Sequence, residues 1–267
     1  MANPCLSKSP TKMALKSKPL HLLLAQKLLL LFVTTNIYAE NDPLLIYCPH
    51  VTNYTNTSPF KANLDLLLSD LVSSVPKSPS LFSNSSFGTA YGLAQCHPDN
   101  SPSACANCLN HSATAFSILC PFARSAALRF DLCLLRYSDT SFFSSLDVTS
   151  FKVLSSASHL TVSNAELQDL IYETRSKTST TESKFGATIK NLSHSRVASA
   201  TADCTRDLSD DDCMICLNQA VGILLSDGDS NPLACQVVGL SCALAYVVRS
   251  STVATGVSDP TGNKGNK

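Results

Sequence analysis

Residues 96–110, CHPDNSPSACANCLN, and residues 204–218, CTRDLSDDDCMICLN, decide how the whole chain is read. Each sets three cysteines as C-x8-C-x2-C: Cys96, Cys105 and Cys108 in the first, Cys204, Cys213 and Cys216 in the second. Every member of the second triplet lies 108 residues beyond its counterpart. That period is too long for a solenoid unit and suits a small domain, so the pattern describes a tandem duplication of one cysteine-stapled module.

The cysteines also indicate a compartment. Of 12 in the chain, only Cys5 falls within the first 39 residues. Those residues read as a secretory signal peptide, 1–39: Lys8, Lys12, Lys16 and Lys18 precede an apolar run from Leu20 to Val33, and Ala39 offers a small residue for cleavage. The run is broken by His21, Gln26 and Lys27 and falls short of a spanning helix; a retained anchor is the competing reading, and Met13 is an alternative start. A chain routed this way would pair its remaining cysteines. Five N-x-S/T sequons, at Asn53, Asn56, Asn84, Asn110 and Asn191, are glycosylation candidates on the same route.

Charge narrows the partners. The whole chain carries 20 Lys and Arg against 20 Asp and Glu, but five of the lysines precede Glu40, so the remainder is acidic. Without a concentrated basic surface, nucleic acid is excluded as a partner. No Gly-rich phosphate loop occurs, and His50, His97, His111, His159 and His194 are scattered, which argues against an enzyme. The CANC and CMIC stretches each have further cysteines at fixed spacing to pair with, unlike a redox C-x-x-C, and His97 and His111 have no equivalents beside the second triplet for a zinc site. Neither a metal nor any other cofactor is expected.

Along the first module, Ser58-Pro59 opens a helix whose Leu64, Leu67, Leu68, Leu71, Val72 and Val75 form one face, stopped by Pro76. A Ser- and Pro-rich link follows through Ser86. Ser101-Pro102 starts a second helix carrying Cys105 and Cys108 on one face, and Ala126 to Ser138 has strand-like stretches, with Phe142 and Phe143 closing the core. In the second module Asn164 caps a helix burying Leu167, Leu170 and Ile171. Ser209 caps the cysteine-bearing one, whose Asp210, Asp211 and Asp212 suit the positive end of the helix dipole better than a calcium loop. Ser241 to Val248 reads as the last strand, and residues 251–267 as a flexible polar tail with no apolar span.

The paired triplets, together with SPFKANLDLLLSDL, FGTAYGLAQC and CLLRYS, resemble the plant ginkbilobin-type, or stress-antifungal, domain. Two copies behind a leader are similar to the cysteine-rich repeat secretory proteins. The resemblance implies an α+β fold: two tandem modules, 42–147 and a divergent 151–250, each an antiparallel sheet packed against helices. Six cysteines allow 15 pairings. The resemblance selects Cys48 with Cys120, Cys96 with Cys105 and Cys108 with Cys133, then Cys204 with Cys213 and Cys216 with Cys242. Cys235 is left unpaired, because Ser156 stands 108 residues after Cys48. It is then a buried free thiol, or the site of a covalent dimer, or part of a divergent coding segment, since Cys235 precedes Cys242 by seven residues whereas Cys120 precedes Cys133 by thirteen.

Mannose binding in the family is implied to use an Asn, an Arg and a Glu. Their places hold Pro49, Ala127 and Ser138, with Arg129 on the same strand face as a partial substitute; in the second module the Arg place falls on Cys242 and the Glu place on Val247. Pro, Ala and Ser cannot replace the water bonds of sugar hydroxyls. The expectation is therefore a non-catalytic secreted interaction protein of the extracellular space, the apoplast, meeting a protein partner there or at the cell surface in stress or defence signalling. The alternative is a carbohydrate-binding antifungal lectin that takes another glycan.

Overall fold

The computed structural model describes residues 42–49, 53–160, 164–225 and 231–250. The expected signal peptide at 1–39, the expected tail at 251–267 and His50 lie outside the described residues.

Three short strands of sequence logic recur as three helix starts. Ser58 accepts the Lys61 N–H at 3.3 Å ahead of α1 (Pro59–Ser74). Ser101 accepts that of Ala104 at 3.2 Å ahead of α2 (Pro102–Leu119), and Ser209 that of Asp212 at 3.1 Å ahead of α4 (Asp210–Leu224). A side-chain oxygen in each case satisfies a donor that the first helical turn cannot. The remaining long helix, α3, spans Asn164–Thr180.

The first sheet contains β1 (Leu45–Tyr47), β2 (Phe82–Phe87), β3 (Ala90–Cys96), β4 (Ala126–Arg129) and β5 (Cys133–Ser138) in the order β1-β4-β5-β3-β2, antiparallel throughout. The second contains β6 (Lys152–Ser155), β8 (Phe185–Leu192), β9 (Arg196–Cys204), β11 (Ala234–Val238) and β12 (Cys242–Ser250) in the corresponding order β6-β11-β12-β9-β8. Also in the second module, β7 (His159–Leu160) and β10 (Asn231–Pro232) make a separate two-stranded ladder. The α+β class expected from the family is thus the fold of the chain, twice over.

The link through Ser86 is a correction. Phe82–Phe87 is a full strand paired with Ala90–Cys96 around Gly88, whose φ of +53° suits a residue without a Cβ. Its sequence, FSNSSF, carries too little apolar alternation to announce a strand, because as an edge strand it buries little. The segment between the modules is also built in: Leu146, Val148, Phe151 and Val153 pack on the second core, and β6 is hydrogen-bonded to β11.

Each sheet buries one face under its own helices. Phe60, Leu64, Leu67 and Leu71 meet Phe116, Leu128, Leu135 and Tyr137 in the first module. Leu167, Leu170, Ile171 and Leu217 meet Val237, Leu244 and Tyr246 in the second. A third cluster joins the modules through the opposite faces: Leu45, Leu93, Ala127 and Leu134 from the first with Val238, Leu240 and Ala243 from the second. Phe142 and Phe143 pack on this junction cluster and not on the helix-covered core.

Candidate functional site

Because side chains alternate along a strand, the residues of β3, β4 and β5 that miss the helical core point at the second module. Those residues include the polar Gln95 and Arg129, and burial forces both to find partners. Arg129, with a side chain 6% exposed, meets the Asp203 carboxylate at 2.6 Å. The Gln95 amide donates to the Cys204 carbonyl at 3.2 Å and to Asp203 at 3.4 Å, while its oxygen accepts the Arg206 N–H at 3.1 Å. Arg206 in turn donates to three carbonyls: Ser183 at 3.0 Å, Leu81 at 3.1 Å and Cys96 at 2.8 Å. Burial lowers its pKa, with Asp203 opposing that shift.

Gln95 and Asp203 are 108 residues apart, the period of the duplication. Equivalent positions that touch are the mark of an approximate two-fold relation, the geometry of an isologous dimer here made within one chain. Gln95, Arg129, Asp203 and Arg206 border a cavity of about 30 Å³, room for roughly two waters. A second set of contacts secures the connection: the Ser144 N–H donates to Asp207 at 2.7 Å, the Asp147 N–H to the Ser241 hydroxyl at 2.9 Å, and Arg136 lies 3.5 Å from Asp147 and over the Phe142 ring. Desolvation lowers the Arg136 pKa.

The three places aligned with a mannose site fall on or beside this junction. Ala127 is fully buried within the joining cluster. Ser138 is buried and its hydroxyl accepts the Thr140 N–H at 3.2 Å, while Pro49 is half-buried at the end of β1. Arg129 is buried, with one guanidinium nitrogen on Asp203, so burial keeps its remaining donors from acting as the substitute read from the sequence.

Strand register also corrects the second module. Cys96 lies opposite Cys133 and Cys204 opposite Cys242; from there Ala126 faces Tyr137 just as Cys235 faces Tyr246. Cys235 therefore stands where Ala126 does and is not a displaced Cys120, whose counterpart by the 108-residue period is Gly228, outside the described residues. The shorter Cys235-to-Cys242 spacing reflects this different location and no shortened strand. By the same register the Arg place is Gln236, not Cys242, and the counterpart of Cys48 is Ser155.

The disulfides join Cys48 to Cys120, Cys96 to Cys105, Cys108 to Cys133, Cys204 to Cys213 and Cys216 to Cys242. Cys235, read from the sequence as unpaired, is buried and disulfide-bonded to a partner outside the described residues. With the triplet sulfurs bridged, they are not thiolate ligands. His97 packs its ring on Phe185 and His111 on Phe130. Of the three aspartates opening α4, Asp210 meets the buried Lys184 and Asp212 accepts from the Ser209 hydroxyl.

Sequence reasoning missed the Gln95–Arg129–Asp203–Arg206 network. Its signal was present as a polar residue on the otherwise apolar alternation of β3, but only the approach of the second sheet makes that face interior.

The family described as salt stress response/antifungal matches residues 47–140. An antimicrobial ginkbilobin-2-like protein of Castanea crenata is 31% identical over 223 residues, covering 81% of this chain and 92% of that protein. Cysteine-rich repeat secretory protein 38 of Arabidopsis thaliana is 29% identical, covering 79% and 86%. Cysteine-rich receptor-like protein kinase 25 of the same plant is 27% identical, but this chain spans only 32% of it. The tandem DUF26 ectodomain of the Arabidopsis thaliana cysteine-rich receptor-like protein PDLP8 superposes with a TM-score of 0.65 at 25% identity, covering 78% of this chain and 98% of that one. With its duplicated cysteine triplets, its paired sheets and these relatives, the chain belongs to the salt stress response/antifungal family.

Proposed function

We propose that this chain is a non-catalytic interaction protein of the apoplast that meets a protein partner there or at the cell surface in stress or defence signalling. The observation that carries the reading is the burial of Ala127 and Arg129 in the joint between modules. The sheet face aligned with sugar recognition is spent on holding two modules as one body, which leaves the helical faces for contact. Among the described residues no helix is long and apolar enough to cross a membrane.

A second reading, a carbohydrate-binding antifungal lectin, is favoured by the antimicrobial character named for the Castanea crenata relative, 92% of which is covered by the match. One paired experiment separates the two. The secreted, leader-free protein is passed over immobilised cell-surface receptor ectodomains and over a glycan array. Saturable binding to an ectodomain with silence on the array supports the first reading. Glycan retention that free sugar competes away overturns it in favour of the lectin.

A further inference from the structure

An exposed sheet edge offers unpaired N–H and C=O groups to any other strand, and extracellular proteins must blunt it. Among the described residues the two five-stranded sheets have four such edges. β1 is three residues long and runs into Cys48-Pro49, and β6 is four residues long and begins with Lys152, so both are short or guarded by sequence. The other two are not. β2 presents six residues, FSNSSF, with no charge and no proline. β8 presents eight, FGATIKNL, whose one charge, Lys190, is drawn to Asp169 and Glu173 of α3. On the other face of β8, Ile189 is 72% exposed.

These two long edges each carry a sequon. Asn84 is the third residue of β2 and heads Asn84-Ser85-Ser86; Asn191 is the seventh of β8 and heads Asn191-Leu192-Ser193. Both are exposed. Asn84 lies opposite Leu93 and thus on the face away from the helices, and Asn191 shares its face with Ile189, two residues and about 7 Å along the strand. By contrast Asn110 sits within α2 and donates to the Ala106 carbonyl, and Asn53 bridges to Ala123 away from either edge.

We infer that Asn84 and Asn191 are N-glycosylated and that their glycans block strand addition at the β2 and β8 edges. Another strand must come within about 4.8 Å to pair. A branched oligosaccharide standing beside the edge is wider than that gap, and at Asn191 it also covers Ile189. The inference needs only passage through the secretory route and is independent of the partner.

The test expresses the chain from residue 40 behind an unrelated leader in plant or insect cells, so that the native leader is not at issue, and with Cys235→Ser throughout, because Cys5, the one cysteine besides Cys235 outside the five described bridges, is absent from this form. Peptide mass mapping before and after peptide N-glycosidase gives occupancy, and light scattering behind size exclusion gives mass over a concentration series. The expected result is occupancy at both sites and a monomer, with Asn84→Gln plus Asn191→Gln shifting the protein to dimers and larger species. Adding Ser86→Lys and Ile189→Lys to that variant should restore the monomer by charge, while Asn53→Gln plus Asn56→Gln should leave it monomeric. Circular dichroism and thiol counting keep misfolding apart from edge pairing. Empty sites, a monomeric double variant, failure of the lysine rescue, or equal association of the Asn53 and Asn56 control would each overturn the inference.

Discussion

The two modules build the same sheet by different means. In the first, Cys48–Cys120 ties β1 to the end of α2, a bridge for which the second has Ser155 at one end. The second module has longer ladders instead: β12 pairs with β9 over nine positions, where β5 pairs with β3 over six. Their cores differ in the same sense. Phe60, Phe116, Phe130 and Tyr137 fill the first, whereas the second lines β9 with Ala198, Ala200 and Ala202 and lets α3 come close. A module without the counterpart of that bridge, and with smaller side chains, keeps its fold by extending hydrogen-bonded pairing and by closer helix approach.

The largest test of that contrast is to remove the extra staple. Cys48→Ser with Cys120→Ser opens a bridge across 72 residues, and the chain-entropy estimate for such a loop is about 4 kcal/mol. Hydrogen exchange should accelerate first in β1 and β4. If instead the first module keeps its protection while the second alone exchanges faster, ladder length and not the bridge governs which module opens.

Asp203→Ala comes next, because it leaves the Arg129 guanidinium buried without its partner. Breaking such a pair costs about 3–5 kcal/mol, and the low end applies because Asp203 stays 27% exposed. The expected outcome is a denaturant unfolding curve that splits from one transition into two, which lets each module's stability be read alone. A single unshifted transition would mean that the apolar cluster suffices to couple them.

Glycine substitutions probe the helix approach directly. A Cβ at Gly186 would meet the Thr178 hydroxyl at 2.4 Å, the Thr178 backbone nitrogen at 3.0 Å and the Thr174 carbonyl oxygen at 3.1 Å. At Gly92 it would meet only side-chain carbons, the methyls of Leu67 and Leu71 at 2.8 and 2.9 Å and Leu67 Cγ at 3.1 Å, which can turn aside. Gly186→Ala should therefore cost about 3 kcal/mol and Gly92→Ala about 1 kcal/mol, read from denaturation midpoints. Equal losses would remove the distinction drawn between the two cores.

Helices capped by Ser58, Ser101 and Ser209 were legible because capping and 3.6-residue periodicity are local properties. The strands β2, β8 and β9 were not, since FSNSSF and the alanine-rich β9 lack the β-branched alternation that marks a half-buried strand. Cys235 misled for a related reason: counting from cysteine to cysteine assumes that the sulfur marks an equivalent position, and register with Tyr246 shows that it does not. The junction was invisible in principle. Gln95, Arg129 and Arg206 look like surface residues until the second sheet covers them, and that approach is a long-range event absent from any short window of sequence.

The smallest expected effect concerns a feature the modules share. Tyr137 and Tyr246 occupy equivalent positions, and each buried hydroxyl donates to a backbone carbonyl, of Ala123 at 2.9 Å and of Pro232 at 3.1 Å. Burial pushes both phenols well above their ordinary 10.0, with a smaller contribution from Tyr54 at Tyr137. A raised folded pKa means that the native state holds its proton while the unfolded chain releases it. The resulting stability is complete below the ordinary value and declines as pH rises above it, by up to about 1.4 kcal/mol per pH unit for each tyrosine. In an absorbance titration both should ionise only as the chain unfolds. Tyr137→Phe and Tyr246→Phe should each cost about 1 kcal/mol at neutral pH, through the carbonyl left unpaired, yet flatten the alkaline decline. If Tyr246 ionises reversibly in the folded protein while Tyr137 does not, the second core admits water that the first excludes, and longer ladders do not fully replace a bridge placed like Cys48–Cys120.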